Sequence, residues 1–283
     1  MYSLTASCWQ YLCHVSFDDT GQFQKMDLIR DGWYWGLSYW KDKYFVSEKH
    51  TDPPGHYPVH VMNDEYKTIN RLNENPQFGS NVHQIQCHNN KLYVVCAEKE
   101  NVLIYNLNNL REPPQIWRPG QIKPGSYPNT LYFDDKHLYI LCHNLGHNVS
   151  RVLQYHIHNL KFAGEFMLHH MKCHNIFAMR KKMWYCASED NCIGTFDNSE
   201  TIQIPNGQFV RGVARDNKFL FIGDSEKSER SLRRQGDGRI LVYDLSKKEV
   251  ISQAYLPDCG QVHELRLINK QDLCHNTGEN REY

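Results

Sequence analysis

Apolar and polar residues alternate with a period of two along most of the chain, in short runs parted by tight polar turns. The stretch from Ser80 to Leu107, SNVHQIQCHNNKLYVVCAEKENVLIYNL, shows this most plainly. It predicts three strands. The first is Val82 to Cys87, ending in a His-Asn-Asn turn; the second is Lys91 to Cys96; the third is Val102 to Tyr105, after a Glu-Lys-Glu-Asn turn. Polar turns between β-rich runs are a hairpin signal.

The unit recurs. One copy starts at Trp35 (WGLSYWKDKYFVSEKH, then VHVMN after an insertion holding Pro53, Pro54 and Pro58). Others start at Ser80, at Pro128 (PNTLYFDDKHLYILCHN, then RVLQYHI), at Cys173 (CHNIFAMRKKMWYCASEDNCIGTF) and at Val210 (VRGVARDNKFLFIGDS, then GRILVYDL). The sixth is split: its first strand is VHELRLIN from Val262, and SLTASC and CHVSFDD at the N-terminus supply the next two. Weaker fourth strands follow, as at Phe23 to Met26, Phe162 to Phe166 and Val250 to Ala254. Four-strand repeats of about 40–50 residues build a β-propeller. The expected fold is therefore all-β, a six-bladed β-propeller forming one domain over residues 1–283. Its last blade is closed by N- and C-terminal strands, which leaves no free sheet edge at the seam. Five complete blades with loose tails would waste two good strand patterns. Capped helical periodicity is nearly absent.

The first strand of each blade lines a propeller's central channel. Aligning the hairpins puts Trp35, His83, Asn129, His174, Arg211 and His263 at its mouth. Histidine occupies blades two, four and six, which are related by a threefold rotation. Three imidazoles converging from alternate blades could hold a transition metal at about 2.0–2.1 Å and leave positions open for water or substrate. Fe(II) is favoured, then Cu or Zn, since imidazole suits all three. The competing expectation is polar channel lining, because the chain has 16 histidines and channels are wet. Arg211 and Asn129 are the candidate catalytic residues. Trp35 and Arg211 are the candidate substrate contacts, Arg211 as a bidentate anion holder and Trp35 as an apolar wall. A salt bridge from Arg211 to Glu264 or Asp258 is the plain alternative. Alternation aims Glu264 away from the channel. Cys8, Cys96, Cys142 and Cys186 flank the ring, as soft ligands or as small buried hydrophobes. His56, His60, His143 and His147 read as loop histidines. The charged run from Ser225 to Gly238 is a solvated loop or a lid over the mouth.

Composition narrows the classes. Net charge is zero and the pI is about 7.2, which speaks against an electrostatic nucleic-acid binder. No apolar run approaches the roughly 18 residues of a membrane helix. The N-terminus lacks a signal-peptide pattern, so the 10 cysteines are expected as reduced thiols in a cytoplasmic protein, a monomer or weak oligomer. No Walker A, GxGxxG, GxSxG or CxxC motif is present.

From Phe209 to Ile268 the chain runs FVRGVARDNKFLFIGDSEKSERS, then GRILVYDLSKKEVISQAYLPDCGQVHELRLI. This resembles the C-terminal half of an uncharacterised bacterial family of propeller-like proteins, the DUF4915 group. The resemblance covers about 60 residues, implies the fold and carries no activity. Two functions remain open. One is a mononuclear metalloenzyme on His83, His174 and His263, acting on a small-molecule or peptide substrate by Fe(II) or Cu oxygen chemistry or Zn Lewis-acid chemistry. The other is a non-catalytic propeller that binds a partner protein or peptide on its top face.

Overall fold

In the computed structural model the hairpin units close into a ring of six four-stranded blades. The structure describes residues 1–49, 56–75, 79–229 and 232–278. Blade one holds Tyr34–Trp40, Lys43–Glu48, Val59–Met62 and Thr68–Leu72, and blade two Val82–His88, Lys91–Cys96, Asn101–Asn106 and Gln115–Trp117. Blade three holds Pro128–Phe133, His137–Cys142, Arg151–His156 and Phe162–Met167, and blade four His174–Met179, Lys182–Ala187, Cys192–Thr195 and Thr201–Gln203. Blade five holds Phe209–Arg215, Phe219–Ser225, Gly238–Asp244 and Glu249–Leu256. Blade six joins Val262–Leu267 to Tyr2–Cys8, Tyr11–Phe17 and Phe23–Asp31. Among the described residues no helix is long and apolar enough to cross a membrane. Pro53 and Pro54 of the first insertion lie outside the described residues.

Local sequence explains the hairpins. The turn Asn89-Asn90 takes positive φ at both residues (47° and 57°), the geometry that two-residue hairpins require and that Asn tolerates best. Apolar residues then alternate onto the faces between blades. Tyr2, Leu4, Phe17, Phe219, Phe221 and Leu265 fill the space between blades five and six. Burial of each such side chain stabilises by roughly 1.5–3 kcal/mol, and only a neighbouring blade makes it possible. Burial fades outward: Val262–Leu267 is wholly buried, whereas Phe162–Met167 is mostly exposed.

The seam is an antiparallel ladder with Leu4 opposite Leu267 and Ala6 opposite Leu265. Deleting residues 1–17 removes the two middle strands of blade six and bares that interface. The truncated chain is expected to be insoluble. Recovery of soluble protein with an unchanged melting curve would count against closure at this seam.

Inner strands carry β-bulges at the channel mouth. Register shifts fall between Tyr34 and Leu37, Val82 and Ile85, Pro128 and Thr130, His174 and Ile176, and Val210 and Val213. In blade six Ser7 pairs with Glu264 and Cys8 with Val262, which leaves His263 as the extra residue. A bulge breaks strict alternation, so consecutive side chains reach the channel at successive depths. This corrects the expectation for Glu264. It points inward, 2% exposed, at the waist of the ring. Its Oε1 accepts from Gln84 Nε2 and Asn175 Nδ2, both at 3.0 Å, and its Oε2 accepts from Arg266 at 2.7 Å. Gly212 makes room for this hub. Its φ is +79°, and a Cβ there would sit 3.3 Å from the Glu264 backbone.

Residues 269–278 run beneath the waist and, with inner-strand ends from all six blades, line a cavity of about 400 Å³ at the lower mouth. Asp272 accepts from the backbone N–H groups of Arg215, Leu267 and Cys274. The Asn276 carbonyl accepts from His88 Nδ1 at 3.0 Å, and the Asn89 N–H donates to the Thr277 carbonyl. The tail thus ties blade six to blades five and two.

Candidate channel-mouth site

At the upper mouth the bulged strands surround a cavity of about 1070 Å³, at the upper end of the size range of small-molecule sites. Four of the aligned residues line it: Trp35, His83, His174 and Arg211. Residues two positions earlier on the same strands or their lead-in loops share the strand face and line it too. These are Asn81, Tyr127, Lys172, Phe209 and Gln261. Trp9, Lys49 and His143, each directly after a second strand, complete much of the wall.

Arg211 is the centre of this geometry. Its side chain is buried, with 5% exposed. Its guanidinium carbon sits 5.4 Å from the Trp35 ring centroid, and NH2 lies 3.4 Å from His83 Nδ1, to which it donates. The other His83 nitrogen, Nε2, is 3.3 Å from the Tyr127 hydroxyl. Among the described residues Arg211 forms no salt bridge, so the expected partners Glu264 and Asp258 are not used. Glu264 serves Arg266 instead. Burial lowers the Arg211 guanidinium to about 10, opposed by the field of Glu264; it stays charged at neutral pH.

Burial, then the Arg211 cation, holds His174 and His263 well below the ordinary imidazole value. Burial pushes His143 down to about 4, with Arg211 and Lys172 adding to it. These rings are neutral. The fixed charges on the cavity wall are Lys49, Lys172, Arg211, Arg233 and Arg234 against Glu189 and Glu229. Five cations against two carboxylates leave the mouth at +3 in a protein of zero net charge.

The expected three-histidine metal set finds no support in this geometry. Among the described residues no three His, Cys, Asp or Glu groups are placed to hold one. The Trp35 indole lies between two of the expected ligands, stacked on His263 at 4.3 Å and edge-on to His83 at 4.8 Å. His83 is engaged at both nitrogens, whereas the hydrogen bonds of His263 (Nδ1 to the Tyr34 carbonyl, 2.6 Å) and of His174 (Nδ1 with Ser188 Oγ, 2.8 Å) occupy one nitrogen of each ring. The Arg211 guanidinium lies 3.4 Å from His83 Nδ1, and its charge repels a divalent cation.

Other expectations shift as well. Asn129 is buried, and its amide donates to the Cys173 carbonyl of blade four, 3.0 Å away, linking two blades. His60 lies inside a strand, fully buried, with Nε2 2.7 Å from a Glu48 oxygen. His143 belongs to the mouth, with its ring centroid 4.5 Å from Tyr127 and 5.9 Å from His174. All 10 cysteines are free and buried, and burial raises Cys8, Cys96, Cys142 and Cys186. The charged loop of blade five brings Arg233 and Arg234 to the wall; residues 230 and 231 of it lie outside the described residues.

No family model matches the chain, and no curated protein matches it. Solved structures do. A chain from the crystal structure of a nidogen/laminin complex aligns with a TM-score of 0.70 at 7% identity, covering 94% of this chain and 98% of that one. The WD40 domain of Pan2 from Neurospora crassa aligns at 0.57 and 10% identity, covering 83% and 69%. U3-55K aligns at 0.52 and 12% identity over 75% of this chain, which spans 61% of that one. Identities this low speak to fold alone. With the six blades, they make the chain a six-bladed β-propeller.

Proposed function

We propose that this propeller binds a small organic oxyanion in its upper mouth, with Arg211 as the anchor and Trp35, Tyr127 and Phe209 as walls. One observation carries the reading: a buried guanidinium, without a carboxylate in ion-pair reach among the described residues, faces a roomy cavity of net positive charge. A buried charge is costly unless something pairs with it. Cations focused in a low-dielectric cleft raise the local concentration of anions. A planar guanidinium beside an indole suits a carboxylate or phosphate on an apolar body.

Calorimetric titration with benzoate and with inorganic phosphate tests this. Wild type should bind at least one of them. Arg211→Gln should weaken that binding by about 10- to 100-fold, the worth of one charged hydrogen-bonding group. Arg211→Lys, which keeps charge but loses the fork, should fall between. Binding unchanged in Arg211→Gln, or no binding of either probe to wild type, overturns the proposal.

A further inference from the structure

Tyr127 stands out on three independent counts. Its backbone has φ of +51°, a left-handed conformation that costs a bulky residue of order 1–3 kcal/mol. It is held there by the His143 N–H, which donates to the Tyr127 carbonyl, and by the Asn144 N–H, which donates to Ser126. Strain of this kind persists where the surrounding structure enforces it. The effect is to hang the phenol over the mouth cavity.

The second count is the hydrogen-bond polarity at the phenol oxygen. Tyr57 donates its hydroxyl to Asn81 Oδ1 at 3.2 Å. That fixes the amide so that Asn81 Nδ2 faces Tyr127 and donates to its oxygen. Asn81 is itself held at positive φ, 52°. On the other side, Arg211 donates to His83 Nδ1, so the imidazole proton sits on Nε2 and is donated to the same phenol oxygen. Two chains of donors, one starting at Tyr57 and one at Arg211, end on one oxygen. Donors that converge on an oxygen favour its charged form.

The third count is charge. Arg211 is a buried cation one imidazole away, and the Tyr127 oxygen lies within its field. His143, His174 and Lys172 also face this space, and Lys172 is paired with Glu189 at 2.8 Å. No carboxylate of the described residues stands between Tyr127 and Arg211 in this chain of contacts.

We propose that Tyr127 is the exchangeable counter-charge of this site: a phenolate that balances Arg211 across His83 in the empty mouth and takes up a proton when an organic oxyanion occupies the guanidinium. Binding is then proton-linked. The proton comes from solvent and forms the Tyr127 O–H bond; the incoming anion takes over the charge balance; nothing is oxidised or reduced. This inference rests on the oxyanion reading of the mouth and adds its regulation by pH. Anion affinity should fall by about tenfold per pH unit above the pH at which Tyr127 ionises, since phenolate and ligand then compete.

The test combines two measurements on the full chain. Ultraviolet difference titration should show one tyrosine ionising below the ordinary value of about 10, absent in Tyr127→Phe and moved back up in Asn81→Ala. It should be easy to see, because burial raises Tyr11, Tyr34, Tyr44, Tyr93 and Tyr105. Benzoate calorimetry at a pH just above that early ionisation, in buffers of different ionisation heat, should show proton uptake by wild type and none by Tyr127→Phe. If no tyrosine ionises early, or if the early one survives in Tyr127→Phe, the inference is wrong. Failure of benzoate and phosphate to bind, with the early phenolate present, overturns the oxyanion reading instead.

Discussion

Glu264→Gln is expected to destabilise the fold by about 3–5 kcal/mol, the usual result of removing one partner from a buried ion pair. Arg266, 2% exposed, would lose the carboxylate 2.7 Å from its NH1. The new amide would also aim N–H groups at donors, because Gln84, Asn175 and Arg266 all donate to this carboxylate. Those three come from blades two, four and six, so one substitution loosens half of the ring at its waist. Urea unfolding should show the loss as a lower midpoint. The double variant Glu264→Gln/Arg266→Met should recover part of it, since removing both charges leaves neither stranded. A single variant within about 1 kcal/mol of wild type would mean that the hub does not hold the waist together.

Mild acid should weaken the protein almost as much. His174, His263 and His275 are buried, and burial holds each well below the ordinary imidazole value. Each stays neutral in the fold, while the unfolded chain takes up protons below about pH 6.5. Stability is therefore full above that pH and falls as pH drops, by about 1.4 kcal/mol per unit for each ring that stays neutral. From pH 6.5 to 5 three rings remove up to about 6 kcal/mol. Asp272 works the other way. Burial raises it to about 6, so the fold gains its proton before the unfolded chain does, which offsets about 1.4 kcal/mol at pH 5. The histidines win by number. Urea midpoints at pH 7 and pH 5 check this, and equal midpoints would show that the rings are protonated in place.

The ring was legible in the sequence because each hairpin repeats the same polar turn and apolar alternation. Even the seam followed from the split sixth unit, with VHELRLIN near one end of the chain and SLTASC and CHVSFDD at the other. The alignment also found Trp35, His83, His174 and Arg211 at the mouth. The three-histidine metal set read from it finds no support in the geometry. Imidazoles on alternate blades suggested convergence, but the Trp35 indole stacks on His263 and the Arg211 guanidinium lies against His83. Glu264 was misplaced because strict alternation ignores bulges, which leave little trace in side-chain pattern. Tyr127, Asn81 and His143 were missed as loop residues. A signal existed: they sit two positions before a ring residue, or one after a second strand, where strand periodicity carries the same face outward.

The filled waist has a kinetic consequence. With Glu264, Gln84, Asn175 and Arg266 packed across the channel, the upper cavity is a cup floored by the waist among the described residues. A guest then leaves on the face by which it entered, past the mouth that Lys49, Leu145, Arg233 and Arg234 line among the described residues. Traffic can be stopped from one side only. A bulky molecule seated on that rim would trap an occupant as effectively as it would bar a newcomer, and no extended polymer can be drawn through from face to face.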